Sequence, residues 1–159
     1  SLGFNLPNLE GRQVSLQDER YKGKVVIVSI LGSWCPNCLD EAEFLAPWYK
    51  ANKQRGVEII GLGFERQDDF EYSKATLNRL KTKYGIEYDV LFAGKADAEG
   101  VAKVLPEVEN FSGYPTTLFI DKKGNVRKIH TGFTGPATGL FYEDFKKEFN
   151  VLIDSLLAE

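Results

Sequence analysis

The sequence predicts an α/β protein with a central mixed sheet and helices on both faces of that sheet. Residues Val25 to Leu31 form a nearly continuous apolar run, most of it β-branched, which is typical of a central strand covered on both sides. A helical pattern and a second buried strand, Val57 to Phe64, follow this run, and a hairpin and an amphipathic helix end the chain. This order predicts parallel strands in the first part of the sheet and antiparallel strands in the last part.

Helix and turn signals predict where the elements begin and end. Apolar and polar residues alternate over residues 4–16 around Glu10-Gly11, which predicts a hairpin. A turn is predicted at residues 17–24. Beyond the first core strand, the predicted elements are a helix from Pro36 to about Gln54 stopped by Gly56, the strand Val57 to Phe64, and a helix capped by Asp68 or Asp69 that runs to Tyr84 before Gly85. A short strand, Tyr88 to Phe92, and a short helix, Asp97 to Leu105 ended by Pro106, come next. The last predicted elements are a strand Thr116 to Ile120, a turn at 121–125, a strand Val126 to His130, a loop at 131–139 and a helix Tyr142 to Leu157. The apolar side chains of the last helix that we expect to face inward are Phe145, Phe149, Leu152, Ile153, Leu156 and Leu157.

Length, charge and composition exclude several classes of protein. With 159 residues, 43% of them apolar and 27% charged, we expect one globular domain spanning residues 1–159. The net charge of −3 gives no electrostatic reason to expect nucleic acid or an anionic membrane as a partner, and no apolar run is long enough to span a membrane. The chain lacks methionine, so we expect that Ser1 is not the natural start and that a signal, an anchor or another segment preceded it.

The informative motif is Trp34-Cys35-Pro36-Asn37-Cys38, where a buried strand ends and a helix begins. Reactants bind at the carboxyl ends of strands in open α/β sheets. A cysteine at a helix N-terminus meets unpaired backbone N–H groups and the positive end of the helix dipole, and both favour the thiolate. Because residues three apart share one helix face, Cys38 can close a disulfide with Cys35.

This placement predicts redox chemistry with a distinct role for each thiol. Cys35, at the helix tip, is expected to attack a substrate, and Cys38, one turn deeper, is expected to resolve the mixed disulfide. Two other interpretations stay open: an inert pair of buried thiols, and a zinc site, which needs about four ligands where the chain offers two thiols and a distant His130. We favour the redox interpretation, expect no metal and no cofactor, and assign His130 a structural place in a hairpin.

A second feature is Gly113-Tyr114-Pro115-Thr116, at the start of a predicted strand. X–Pro bonds alone adopt the cis form at modest cost, and a proline that opens a strand can leave nearby backbone free to pair with an extended peptide. On these four residues alone, an ordinary loop proline is the alternative.

Together these motifs resemble the thioredoxin superfamily, from about Lys24 to Leu157, and within it the TlpA/ResA-like thiol–disulfide oxidoreductases. The N-terminal hairpin and the stretch between the strands Val57–Phe64 and Thr116–Ile120 are both additions to thioredoxin. Thioredoxin has a buried aspartate where this chain has Ser29, whereas ResA-like proteins have a glutamate three residues after the second cysteine, here Glu41. The resemblance therefore implies a thioredoxin-like fold with an extra N-terminal hairpin and a central insertion.

The resemblance also implies a function and a substrate site. Pro115 is expected to be cis, Tyr114 to offer its backbone to a substrate peptide, and Trp34 and Pro36 to lie beside the active thiols. The implied activity is reduction of protein disulfides outside the cytoplasm, in the periplasm or tethered to a membrane by a preceding segment. A redox partner would regenerate the dithiol. One role found in the family is reduction of oxidised haem-site cysteines to thiols during cytochrome c biogenesis.

The chain departs from the superfamily pattern at two places. Glu43 stands where the helix usually has a proline, and Pro47 comes later. The dipeptide Pro36-Asn37 between the cysteines is neither the Gly-Pro of thioredoxin nor the Pro-His of DsbA. Because this dipeptide tunes the reduction potential, it leaves the direction of electron flow open.

Glu41 has a chemical rationale of its own. It lies on the same helix face as Cys38, one turn deeper, where a carboxylate can accept the proton of that thiol. This role requires that burial raises the pKa of Glu41. The alternative is a solvated acid, grouped with Asp40 and Glu43 in the early turns of the helix. Glu65, near a strand end, is a weaker second candidate acid.

Two other functions compete with the dithiol oxidoreductase. A peroxiredoxin-type peroxidase shares the fold but needs the pattern Pro-x-x-x-Thr-x-x-Cys, and Val28 and Gly32 occupy the Pro and Thr positions that precede Cys35. A non-catalytic module that docks peptides along the edge at Pro115 is the third hypothesis, and the intact cysteine pair argues against it.

Overall fold

The computed structural model describes all 159 residues, Ser1–Glu159. Its α-helices and strands alternate as the sequence predicts. In chain order they are β1 (Asn5–Pro7), β2 (Gln13–Ser15), β3 (Val25–Leu31), α1 (Pro36–Asn52), β4 (Val57–Glu65), α2 (Phe70–Tyr84), β5 (Asp89–Lys95), α3 (Ala98–Val104), β6 (Thr116–Ile120), β7 (Val126–Thr131) and α4 (Leu140–Leu157), with short 3₁₀ turns at Lys53–Arg55 and Pro136–Thr138.

Five strands form the central sheet in the order β5-β4-β3-β6-β7. β3 pairs in parallel with β4, and β4 with β5, whereas β6 pairs antiparallel with both β3 and β7. Every residue of β3, β4 and β6 is buried, because these apolar strands lie between two layers. The predicted mixed sheet, parallel first and antiparallel last, is confirmed.

The two faces of the sheet carry different layers. α1, α2 and α4 pack on one face, where Ile27 of β3 lies in one core with Leu45, Leu77 and Ile153. α3 and the hairpin β1–β2 cover the other face, where a second core forms around residues such as Phe4. The expected N-terminal hairpin is confirmed, and the stretch between β4 and β6 contains α2, the edge strand β5 and α3. None of the helices has both the length and the apolar character needed to cross a membrane.

Side-chain caps place the helix boundaries close to their predicted positions. The Asp69 carboxylate accepts the N–H of Glu71 at 3.0 Å and caps α2, and Gly85 follows that helix in the left-handed conformation at φ 66°. The Asp97 carboxylate caps α3 by accepting the N–H of Gly100 at 2.7 Å. These caps satisfy N–H groups that a helix leaves unpaired at its first turn.

Several boundaries differ from the prediction by one residue, and the end of β5 and the start of α4 differ by more. β5 continues to Lys95 instead of ending at Phe92, because an irregularity beside Ala93 shifts the register and restores pairing with β4 at Gly94. α4 begins two residues before Tyr142, at Leu140. Leu140 and Phe141 are 81% and 72% exposed. The first turn of this helix therefore does not share the inward-facing apolar positions from which the sequence predicts the rest of the helix.

Candidate active site

Both cysteines lie at the junction between β3 and α1. Cys35 is the N-cap residue of α1 and has extended backbone angles, and its Sγ accepts the N–H of Cys38 at 3.3 Å. Pro36 occupies the first turn, where its missing N–H costs no hydrogen bond. The two thiols are free, and Cys35 and Cys38 are 6% and 3% exposed. The expected placement of both thiols on one helix face, with Cys38 deeper, is confirmed.

The thiol of Cys38 resists ionisation in this position. Burial is the largest cause and raises its pKa well above the ordinary value. The hydrogen bond with Cys35 and the charges of Cys35 and Glu41 raise this pKa further, while a backbone hydrogen bond from Gly32 lowers it. An attack by Cys38 on a disulfide therefore needs a group that accepts its proton.

Glu41 is a buried carboxyl between α1 and the sheet. It is 4% exposed, so the alternative of a solvated acid is wrong. Its carboxylate accepts a short hydrogen bond from the hydroxyl of Ser29 and one of 2.6 Å from the hydroxyl of Thr117. Burial raises the pKa of Glu41, although these two hydrogen bonds lower it in part. This is the direction that proton transfer near neutrality requires.

The segment around Pro115 packs directly against the first cysteine. The Tyr114–Pro115 peptide bond is cis, as the resemblance implies. The Tyr114 carbonyl oxygen lies 3.7 Å from Cys35 Sγ, and the Pro115 carbonyl accepts the N–H of Gly132 at 2.7 Å. This contact places backbone polar groups beside the thiol that is expected to attack.

Trp34 forms one wall beside the thiols. Its indole N–H donates to the carbonyl of Phe64 at 2.9 Å, and its ring meets the ring of Tyr114 edge-on at 5.0 Å. The guanidinium of Arg66 lies 4.9 Å from the indole ring, within the range of a cation–π contact. A Cβ on Gly32 would lie 2.2 Å from the indole nitrogen, so this close approach requires glycine.

Glu65, the weaker candidate acid, holds the loop before Cys35. It is the last residue of β4 and is 1% exposed. Its carboxylate accepts the backbone N–H of Ser33 at 2.8 Å, a short hydrogen bond from the Ser33 hydroxyl and one of 2.6 Å from Thr76. These contacts tie the loop between β3 and α1 to the end of β4 and to α2.

Sequence reasoning missed Thr117 and Gly32 as parts of the site. Thr117 faces Ser29 in the β3–β6 register, and a polar residue inside the fully buried strand β6 is the signal that it has a partner. His130, in contrast, lies on β7 with its ring 5.7 Å from that of Phe145. This position agrees with the structural place predicted for it.

Fold and site together define a class of protein. A mixed sheet carries a Cys-x-x-Cys pair at the N-terminus of its first long helix, opposite a cis-proline at the start of the neighbouring antiparallel strand, and this combination is that of a thioredoxin-like protein. A match over residues 2–129 to the model of the AhpC/TSA family narrows the class. The chain belongs to this family.

Relatives of known sequence and structure agree with this assignment. The chain is 30% identical over 129 residues to the thiol–disulfide oxidoreductase ResA of Geobacillus thermodenitrificans, a match that covers 81% of this chain and 66% of that protein. The chain thus spans slightly less than two thirds of the length of this relative. The predicted resemblance to ResA-like proteins is confirmed.

Two solved structures share the fold. A thiol:disulfide interchange protein of the thioredoxin family from Chlorobium tepidum superposes with a TM-score of 0.70 at 23% identity, over 99% of this chain and 94% of that one. A secreted Mycobacterium tuberculosis disulfide oxidoreductase gives 0.63 at 19% identity, over 88% and 92%. At these identities the likeness concerns the fold.

Proposed function

We propose that the protein is a thiol–disulfide oxidoreductase that reduces protein disulfides through a Cys35/Cys38 dithiol–disulfide couple. The observation that carries this proposal is the pair of thiols one helical turn apart, with the outer one at the N-cap of α1 beside the Tyr114 carbonyl. A disulfide closing so short a loop constrains the unfolded chain very little. Stabilisation is therefore a poor reason for the pair, and the names of the relatives agree with redox exchange.

The proposed reaction transfers two electrons to the substrate in two exchanges. The Cys35 thiolate attacks one sulfur of the substrate disulfide, so that a mixed disulfide forms and the other substrate sulfur leaves as a thiolate. Cys38 then attacks the Cys35 sulfur and releases the second substrate thiol. The substrate gains two electrons and two protons, the protein keeps the Cys35–Cys38 disulfide, and a dithiol redox partner reduces it again.

Glu41 is proposed to accept the proton of Cys38 during the second exchange. The thiol and the carboxyl are both buried, and the pKa of each is raised by that burial. A neighbouring group that can take the proton removes the need to bring water or hydroxide into the core. Glu65 is not given this role, because three hydrogen bonds hold its carboxylate on Ser33 and Thr76.

The substrate peptide is proposed to bind across Tyr114 and Pro115. The Tyr114 carbonyl lies against Cys35, where the backbone beside a substrate cysteine must pass for its sulfur to reach this thiol. Trp34 and Pro36 are the residues directly before and after Cys35 in the chain. Trp34 is half-buried and Pro36 is exposed, so both offer apolar surface to an approaching chain.

We further propose that the reaction takes place outside the cytoplasm, on a limited set of protein substrates. Stable protein disulfides occur chiefly in oxidising compartments, so a reductant of protein disulfides meets its substrates there. The secreted M. tuberculosis protein that shares the fold is consistent with this location. Reduction of the disulfide between the haem-site cysteines of a cytochrome c is one candidate reaction of this type.

Insulin reduction tests the proposed function. Cys35→Ser is expected to abolish the reduction, because no attacking thiol remains, and Cys38→Ser is expected to accumulate mixed disulfides, which mass spectrometry detects. Reduction by Cys35→Ser at the wild-type rate would contradict the proposal. The same proteins separate the alternatives: a peroxidase would consume hydrogen peroxide much faster than an ordinary thiol, and a docking module would bind peptides equally well with both cysteines changed to serine.

A further inference from the structure

A cleft opens beside the active thiols, between the start of α1 and the middle of α2. It has a volume of about 240 Å³ and is lined by Ser33, Leu39, Thr76, Arg79, Leu80 and Lys83. Ser33 is two residues before Cys35 and Leu39 directly follows Cys38, so the cleft begins close to both thiols.

The floor and the rim of the cleft differ in chemistry. The hydroxyls of Ser33 and Thr76 both donate to Glu65, so the polar groups of the floor already have partners. Arg79 and Lys83 stand at the rim, and both are exposed. Because they are four residues apart on α2, their side chains lie on the same helix face and can reach the same ligand.

The rim cations have no anionic partner within the protein. Neither Arg79 nor Lys83 is among the side chains that form ion pairs, and neither is Arg66, whose guanidinium lies over the ring of Trp34. α2 carries four basic residues and one acidic residue, although the net charge of the whole chain is −3. Positive charge is therefore concentrated on α2, which lines one side of the cleft.

We propose that this cleft binds a carboxylate side chain of the substrate protein, held by Arg79 and Lys83. The inference rests on the proposed function and adds a substrate class to it: proteins with aspartate or glutamate close to the reducible disulfide. Opposite charges at the rim of an interface act mainly on the rate of encounter and on the choice of partner. Acidic substrates should therefore be reduced faster than neutral ones, chiefly at low salt.

The test compares two peptides that differ only in charge. Each carries one disulfide, with glutamates flanking the cysteine in one peptide and glutamines in the other, and kcat/KM is measured for wild type and for Arg79→Gln/Lys83→Gln. The control is Lys103→Gln/Lys147→Gln, which removes two exposed, unpaired lysines from α3 and α4. Wild type and control are expected to prefer the acidic peptide by about fivefold, and the Arg79/Lys83 variant to lose this preference while reducing the neutral peptide normally. Salt at about 1 M should abolish the preference, because it shortens the screening length to about 3 Å.

Three results would overturn the inference: equal reduction of both peptides by wild type, a preference that survives in the Arg79/Lys83 variant, or a loss of preference in the control. The first two leave the proposed function intact. If wild type reduces neither peptide, the proposed function fails instead. Fluorescence anisotropy of labelled peptide then tests binding by the cleft separately. An affinity for the acidic peptide that is unchanged in Arg79→Gln/Lys83→Gln would show that the cleft does not bind the carboxylates.

Discussion

Replacing Glu41 with glutamine separates two effects of this carboxyl on Cys38. As a buried negative charge, Glu41 raises the pKa of the Cys38 thiol. As a base, it would provide the path by which that thiol loses its proton. The two effects have opposite signs in the rate of the second exchange, so the variant Glu41→Gln distinguishes them.

The size of the charge effect follows from the geometry. Side chains one helical turn apart are separated by about 6 Å, and at an effective dielectric constant of about 20 two unit negative charges at that distance repel by about 3 kcal/mol. Once Glu41 is ionised, its removal should therefore increase the thiolate fraction of Cys38 at a fixed pH by roughly a hundredfold. Loss of a general base acts in the other direction, typically by about 10² to 10⁴ in rate.

The assay has an equilibrium arm and a kinetic arm. In a Cys35→Ala background, the ultraviolet absorbance of the thiolate follows the Cys38 titration with and without Glu41→Gln, and a downward pKa shift is expected. With both cysteines present, stopped-flow release of substrate from the mixed disulfide should slow by about tenfold at neutral pH, because a general-base loss of about a thousandfold outweighs the roughly hundredfold gain in thiolate. Glu43→Gln is the control, because Glu43 is exposed on the same helix, and it should change neither quantity.

The sign of the kinetic change decides the role of Glu41. Faster release in Glu41→Gln, in proportion to the larger thiolate fraction, would show that Glu41 acts only as a charge and would refute its role as a base. An unchanged titration together with unchanged release would refute both effects.

The same variant changes how stability depends on pH. The pKa of Glu41 is raised by burial above its ordinary value of 4.5, so the folded protein binds this proton more tightly than the unfolded chain does. Stability from this group is therefore fully present below pH 4.5 and is lost as pH rises through the folded-state pKa. In Glu41→Gln that loss should be absent, which urea unfolding at a series of pH values measures.

Two further predictions concern the packing that supports the site and the fold. Gly32→Ala should destabilise the protein by roughly 1–3 kcal/mol and alter tryptophan fluorescence, because its Cβ would lie 2.2 Å from the Trp34 indole nitrogen; an unchanged urea midpoint would contradict this. Asp121→Ala should cost about 1–3 kcal/mol and leave insulin reduction intact, because its carboxylate accepts the N–H groups of Lys123 and Asn125 at 3.0 and 2.9 Å at the end of β6 away from the thiols. A variant as stable as wild type would argue against this turn as a source of stability.

The sequence predicts those parts of the fold that depend on local pattern. The nearly continuous apolar run Val25 to Leu31 is β3 to the residue, because a strand buried on both faces needs mostly apolar side chains. The end of β5 could not be predicted in the same way. Its last residues pair with β4 only after a shift in register beside Ala93, and that shift depends on a partner strand about 30 residues earlier.

In the candidate site, too, the features set within one helix were predictable and those set by tertiary contacts were not. The spacing of Cys35, Cys38 and Glu41 is a property of one helix, and their common face was predictable from it. The hydrogen-bond partners of Glu41 were not, since Ser29 and Thr117 are 12 and 76 residues away from it and meet only through the β3–β6 register. Burial of this carboxyl, and with it the direction of its pKa shift, is thus a tertiary property.

The partners of the two buried carboxyls at this end of the sheet suit them to different tasks. Glu65 accepts a backbone N–H from Ser33 through one of its oxygens, and because that group can only donate, the contact fixes this oxygen as an acceptor. Glu41 is bonded only by the hydroxyls of Ser29 and Thr117, and a hydroxyl can either donate or accept. When Glu41 gains a proton, either hydroxyl can rotate and accept it, so both protonation states keep hydrogen-bond partners in the core. The proposed transfer of a proton from Cys38 to Glu41 requires this reversibility, whereas the contacts of Glu65 anchor the loop before Cys35.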